Sequence, residues 1–312
     1  MMATASGTRA NRKFGPILGL VLLCLHGPLQ GRDSTVDGQG WLGLEGEPIL
    51  AERLSYHGDV HLAGRFLPGS PLVFPPFRAD PLGFRTQIRL IESNLTGTRH
   101  VAPSVGLAVP FYETSAPGGT RFQLTGLFAG HTRFDLEQDA DLVATDWRYG
   151  GSLMARRGPW SCRLDLLHIS SHLGDEWIKR VGRPRTNYVS ESAAVRVAWD
   201  PDSRLRLYLS VENALRQTHT NETLGLALGA EVFVLARYFP SGLGPYLAGH
   251  LDSRGEIDHR IAVSGVLGYA FPGEAPGRSL DLQIVYHNGP SPVRQFFETI
   301  ETYVGVGIAL DL

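Results

Sequence analysis

The chain has 312 residues, enough for one large β domain or two ordinary ones. Its 29 Lys and Arg are balanced by 31 Asp and Glu, which excludes the basic excess that a nucleic-acid partner needs. Mean hydropathy is near neutral, which excludes a bundle of transmembrane helices, and 37 glycines favour turns and strands over helices.

The N-terminus stands apart. Arg9, Arg12 and Lys13 precede an apolar run at 14–25, "FGPILGLVLLCL". That run is too short for a transmembrane helix and suits a secretory signal over residues 1–31. Leu23, not a small residue, precedes Cys24, so no lipid anchor is expected. With the signal removed, Cys162 is the one cysteine left, which leaves no intrachain disulfide and no thiolate zinc site. Residues 33–81 are rich in Gly and Pro, as in "GSPLVFPPFRADPLG", and hold no sustained period of 2 or 3.6. Residues 32–81 therefore read as a periplasmic N-terminal extension, with a short helix near 49–57.

After Pro81 the texture changes to alternating segments separated by Gly, Pro, Asp, Asn and Ser. Strands are predicted at 84–92, 102–112, 120–134, 141–155, 160–172, 188–199, 205–215, 224–238, 245–251, 258–271, 279–287 and 301–312. In the fourth, Val143, Trp147, Tyr149 and Leu153 share one face, while Asp146, Arg148 and Ser152 share the other. In 188–199, Val189, Val195, Val197 and Trp199 oppose Ser190, Ser192 and Arg196. Strands this long exceed those of soluble sandwiches, and their even number fits a membrane barrel. The chain closes on "ETYVGVGIALDL", with Val304, Val306, Ile308, Leu310 and Leu312 on one face, similar to the closing strand of outer-membrane proteins, which usually ends in Phe. The expected fold is all-β: a transmembrane antiparallel barrel of about twelve strands over residues 82–312. Short connections at 156–159, 200–204 and 240–244 read as periplasmic turns, and the long ones at 173–187 and 288–300 as extracellular loops.

One strand breaks its own pattern. In 160–172, Ser161, Arg163 and Asp165 fall on one side and Trp160, Cys162, Leu164 and Leu166 on the other. Then Leu167 and Ile169 take the polar side, and His168, Ser170 and His172 appear on the apolar one. His168 and Ser170 share a strand face, close enough for the imidazole to take the hydroxyl proton and make serine a nucleophile. A third group should hold the imidazole. Antiparallel pairing about Arg180 sets position 168 opposite 191 and 170 opposite 189. Glu191 lies on the apolar face with Val189, Val195 and Val197, where a carboxylate is costly unless paired or near the interface. The candidate catalytic group is thus Ser170 as nucleophile, His168 as general base and Glu191 as orienting acid. Two plainer readings stay open. Strand ends near headgroups are polar for ordinary reasons, and a bulge near Leu167 would turn His168 into the lumen.

The phrases "HISSHLGDEW" and "YHNGPSPVRQFF", with "RTNYVSES" between them, resemble a bacterial family catalogued only as a domain of unknown function and taken to form an outer-membrane-type barrel. The resemblance covers about residues 74–312 and implies a fold and a location, not an activity. His168-Ile-Ser170 also resembles the His-x-Ser of outer-membrane phospholipase A and the lipid A deacylases. There the two residues face lipid near the extracellular end of a strand, and a neighbouring strand supplies Asn or Glu. His168 and Ser170 are the residues that match directly.

Asp175 and Glu176 in "HLGDEW" are candidate Ca²⁺ ligands, as are Asp135, Glu137 and Asp139, although acids on an exposed loop are ordinarily solvated. No other cofactor is expected. The leading functional reading is a structural or narrow-channel protein of the bacterial outer membrane, with Asp146, Arg148, Arg163 and Asp165 in a lumenal charge network. The alternative is an outer-leaflet lipid acyl-ester hydrolase. Expected partners are outer-membrane lipids and the barrel-assembly machinery.

Overall fold

The computed structural model describes residues 64–96, 99–182, 184–234 and 243–311. The expected signal and the expected helix at 49–57 lie outside them. The strands are β1 (Arg65–Phe66), β2 (Thr86–Ser93), β3 (Arg99–Ala116), β4 (Thr120–Asp135), β5 (Asp141–Arg157), β6 (Trp160–Leu173) and β7 (Tyr188–Trp199). They continue as β8 (Leu205–Gln217), β9 (Leu224–Phe233), β10 (Gly244–Arg254), β11 (Ile261–Pro272), β12 (Ser279–Pro290) and β13 (Ile300–Asp311). From β2 to β13 each strand pairs antiparallel with the next, and β13 pairs with β2. The sheet is therefore a closed twelve-stranded antiparallel barrel, which leaves the spanning strands no unpaired edge. β1 adds a short patch on β3, with Arg65 opposite Glu113.

Alternation decides which side of each strand meets the lumen. In β12, Leu280, Leu282, Ile284 and Tyr286 are exposed on the outer face, while Ser279, Asp281, Gln283, Val285 and His287 are buried inside. The same outer band includes Ile88, Leu107, Leu228, Leu267 and Val306. An apolar band of this extent is a liability in water and the ordinary exterior of a protein in lipid. Tight turns join β3 to β4 and β5 to β6 at one end, where Gly118, Gly119 and Gly158 take positive φ. The connections between β6 and β7 and between β12 and β13 lie at the other, the loop end. The loop between β6 and β7 there folds into α1 (Asp175–Val181), which buries Trp177 against Phe296, Val143, Ala144 and Leu173.

The strand forecast holds in number and order, with local departures. β9 ends at Phe233, and 235–242 lie outside the described residues. β11 starts at Ile261 because Gly255–Ile257 forms a 3-10 turn and Asp258 and His259 follow it in left-handed conformation. Val143 does not join Trp147 and Tyr149 outside. A register shift between Arg133 and Phe134 skips it, and it is buried beneath α1.

The lumen is packed, not open. Residues 71–81, read from sequence as part of an extension, run with 82–85 inside the barrel. Phe74, Phe77 and Phe84 are buried with Leu127, Met154, Leu167 and Tyr208 of the wall. Phe77 stacks on Tyr208 at 3.6 Å between centroids. Backbone groups of the segment find wall partners: Val73 N donates to Gln123 Oε1 at 2.9 Å, and Arg78 N to Glu231 Oε1 at 2.8 Å. Buried backbone must be paired in this way. The charges expected inside are inside. Arg163 Nε donates to Asp165 Oδ1 at 2.6 Å, Arg196 Nη1 lies 3.2 Å from Asp165 Oδ2, and Arg148 reaches the Leu82 carbonyl. Asp146 accepts from Ser171 Oγ and, at 2.9 Å, from Arg294 N. A cavity of about 110 Å³ lies between Phe77 and Asp80 below and Arg254 and Arg294 above, and another of about 40 Å³ lies beside His131 and Tyr303.

Candidate functional site

The outer face of β6 reads Leu164, Leu166, His168, Ser170, His172 toward the loop end. Leu166 is strongly exposed and closes the apolar run, and His168 opens the polar one. The inner face meanwhile carries Leu167 and Ile169, both buried. No register shift interrupts the β5–β6 or β6–β7 pairing, so the alternation carries His168 and Ser170 to the outside. From His168 onward, polar side chains replace apolar ones on the outer face.

Pairing with β7 sets His168 opposite Glu191 and Ser170 opposite Val189. His168 Nδ1 lies 3.9 Å from Glu191 Oε1, an ion-pair distance when the imidazole is protonated and longer than a hydrogen bond. Their side chains are 28% and 47% exposed, so both remain in contact with the surroundings of the barrel. On the other flank, Tyr149 of β5 stacks on His168 at 4.8 Å and 29°. Trp147 lies opposite Ser170, so this hydroxyl sits between an indole and Val189. Gly150 allows the tight fit beneath this row: a Cβ there would meet the Leu166 carbonyl oxygen at 1.9 Å. The structure thus brings His168, Glu191 and Tyr149 into contact and leaves Ser170 one step along the same face. Among the described residues, no hydrogen bond joins Ser170 to His168 or Glu191.

The expected calcium ligands sit elsewhere. Asp175 and Glu176 form the exposed first turn of α1, and Asp175 lies 3.6 Å from Arg185. Asp135 is taken up by Arg180 at 3.4 Å and by Glu137 N at 3.0 Å. Among the described residues no three His, Cys, Asp or Glu side chains converge to hold a metal ion, and Ca²⁺ takes about six to eight oxygen ligands. His172 is exposed beyond Ser170 on the same face.

Sequence reasoning passed over Tyr149 and Trp147 as partners, although their outward parity was readable. It also passed over a second polar cluster at the loop end. Glu256 Oε2 accepts from His219 Nε2 at 2.6 Å and from Tyr188 Oη at 2.9 Å, and its Oε1 accepts from Arg294 Nη1 at 3.2 Å and from Arg254. Burial pushes this carboxyl up, but the His219 hydrogen bond, the Arg254 charge and the Tyr188 hydroxyl outweigh it and hold it below the usual carboxylate range. Four donors, from two connections and from the loop-end residues of β7 and β10, saturate the group, which makes it a fastener of the loop end.

Residues 43–311 match the family described as "Protein of unknown function (DUF1207)". The chain belongs to that family. No curated protein matches it. Among solved structures it is similar to outer membrane phospholipase A from Escherichia coli, with TM-score 0.53, 12% identity, and 76% of this chain and 99% of the other covered. A Salmonella typhi outer membrane phospholipase dimer with bound calcium gives TM-score 0.53 and 12% identity over 74% of this chain and 93% of the other. The KdgM porin gives TM-score 0.42 and 8% identity over 73% of this chain and 99% of the other. At these identities the likeness is one of fold: this DUF1207 member is an outer-membrane-type β-barrel.

Proposed function

We propose that this barrel is an acyl-ester hydrolase of the bacterial outer membrane that acts on outer-leaflet lipid. The observation that carries the reading is the outward pair His168 and Ser170 at the polar step of β6, with Glu191 opposite His168 at 3.9 Å. Histidine facing lipid is costly unless it is used, whereas a polar rim alone does not call for a carboxylate in register with an imidazole. Fold likeness to proteins named as outer membrane phospholipases supports the same reading.

In the reaction, His168 takes the Ser170 proton as Oγ attacks the ester carbonyl. The tetrahedral adduct collapses, its C–O bond breaks, and the departing alcohol takes the proton back from His168. Water then attacks the acyl-serine, giving its proton to His168 and returning Ser170 with release of a fatty acid. Glu191 holds the imidazolium and its orientation, Tyr149 fixes the ring plane, and Trp147 and Val189 offer an apolar bed for the acyl chain. The test is fatty-acid release from phospholipid by purified protein. Wild type should release acid and Ser170→Ala should not, with both migrating as folded, heat-modifiable barrels. Equal release by the two proteins would reject the mechanism.

A second reading, a barrel with a structural role only, is favoured by one observation: the lumen is filled by residues 71–85. Filled small barrels do not conduct. This reading predicts no release by wild type and no conductance.

A further inference from the structure

The register of β7 with β8 extends the candidate site by one residue. Strand β8 points Arg206, Tyr208, Ser210, Glu212 and Ala214 inward, so simple alternation would turn Arg216 into the lumen too. It does not go there. The pairing skips Leu215: Ser192 faces Ala214, while Glu191 faces Arg216. This bulge reverses the parity of the strand end, sending Arg216 outward and Gln217 to the lumenal cavity. Bulges commonly re-aim a side chain in this way beside functional sites. The outcome is one cross-strand row on the outer face: Tyr149, His168, Glu191, Arg216.

Arg216 is exposed, and among the described residues it takes part in no ion pair. Several buried arginines of the lumen, by contrast, pair with carboxylates, as Arg196 does with Asp165 and Glu212. Arg216 stands two strands from His168, about 10 Å at two spacings of about 4.8 Å. An arginine side chain is long enough to span much of such a gap, the scale that separates an ester carbonyl from a phosphate on the same lipid. Guanidinium is the group best shaped to hold phosphate by paired N–H donors, and apolar stem atoms let it lie along the wall.

Resting on the hydrolase reading, we propose that Arg216 is a substrate-binding residue that holds the phosphate of the ester lipid, so that the preferred substrate is a phosphate-bearing ester lipid, either a glycerophospholipid or lipid A. Binding is separated from turnover by using Ser170→Ala protein. Its affinity for phosphatidylglycerol, lipid A and uncharged diacylglycerol is measured in detergent micelles by native mass spectrometry, beside the Ser170→Ala/Arg216→Gln and Ser170→Ala/Arg216→Lys proteins. Arg216→Gln should weaken the phosphate-bearing lipid about ten-fold and leave diacylglycerol unchanged. Arg216→Lys should keep much of the preference, because the charge remains. The phosphatidylglycerol and lipid A arms identify the source of the phosphate. Unchanged binding of both phosphate lipids, or equal weakening of all three, overturns the proposal; heat-modifiable migration of each variant excludes misfolding as the cause. Failure of the hydrolase reading is visible separately, as absent fatty-acid release by wild type.

Discussion

His168 and Glu191 face each other directly across the β6–β7 pair, with 3.9 Å between Nδ1 and Oε1, on the outer side of the barrel where the apolar run of β6 that ends at Leu166 gives way to polar side chains. The distance is short enough to stabilise an imidazolium formed during attack and long enough to tighten when substrate excludes water. Glu191→Gln keeps the shape and removes the charge. We expect kcat for fatty-acid release to fall by about ten- to a hundred-fold with KM little changed. A matching loss in KM alone would assign Glu191 to substrate binding instead.

The row holding these residues depends on the close approach of β5 and β6. Gly150 leaves no room for a methyl group, which would lie 1.9 Å from the Leu166 carbonyl oxygen. Gly150→Ala must push the two strands apart one position below the Tyr149–His168 stack. The expected result is a folded barrel with a thermal midpoint lowered by an overpacking cost of about 1–3 kcal/mol and reduced release activity. An Ala variant with wild-type midpoint and activity would show that the wall gives way without disturbing the row.

Much of this was legible in the sequence because a barrel wall obeys one rule. Period-2 alternation names the strands, and a loop symmetric about Arg180 sets 168 against 191 and 170 against 189, as the pairing has it. What lies outside that rule was not legible. Residues 71–85 have no period because they run irregularly through the lumen and belong to no face of the wall; Phe74, Phe77 and Phe84 in a Pro-rich stretch were the available sign. The β8 bulge inverts the parity that a strict alternation assigns to Arg216. Glu256 draws partners from separate connections, a proximity that only the closed barrel creates.

Glu256 fixes the loop end through charge, and its effect has a defined pH dependence. Its carboxyl is held below the usual range in the folded protein. Such a group stabilises fully above its unfolded value of about 4.3, and the contribution is lost as pH falls through the lower folded value. Glu256→Gln leaves Arg254 and Arg294 facing a neutral group, both with little exposure. The variant should be about 3–5 kcal/mol less stable near pH 7 by heat-modifiable migration. The gap between variant and wild type should narrow below about pH 4.3. A gap that stays constant down to strong acid would mean that the loss in the variant does not come from the ionised carboxylate.

The lumenal segment sets whether the barrel conducts. Phe77 stacks on Tyr208 at 3.6 Å and 7°, the Arg206 guanidinium carbon lies 5.3 Å from its ring, and the next residue, Arg78, is bonded to Asp281. Removing the ring deletes buried apolar contact worth about 3–5 kcal/mol and leaves Tyr208 facing a void. Removing Arg78 as well leaves Asp281 with Arg85 at 2.7 Å as its remaining ion pair among the described residues. The segment is held by these contacts along its length, so weakening two of them should let it leave the lumen transiently without unfolding the wall, whose twelve strands are paired to one another. In planar bilayers the wild-type barrel should be silent. Phe77→Ala/Arg78→Ala should show brief openings, while fatty-acid release by the outward site stays near the wild-type rate because that site lies on the opposite face of the wall. Steady conductance by wild type would overturn the filled-lumen account, and parallel loss of release in the double variant would show that the packing inside the barrel also supports the row outside it.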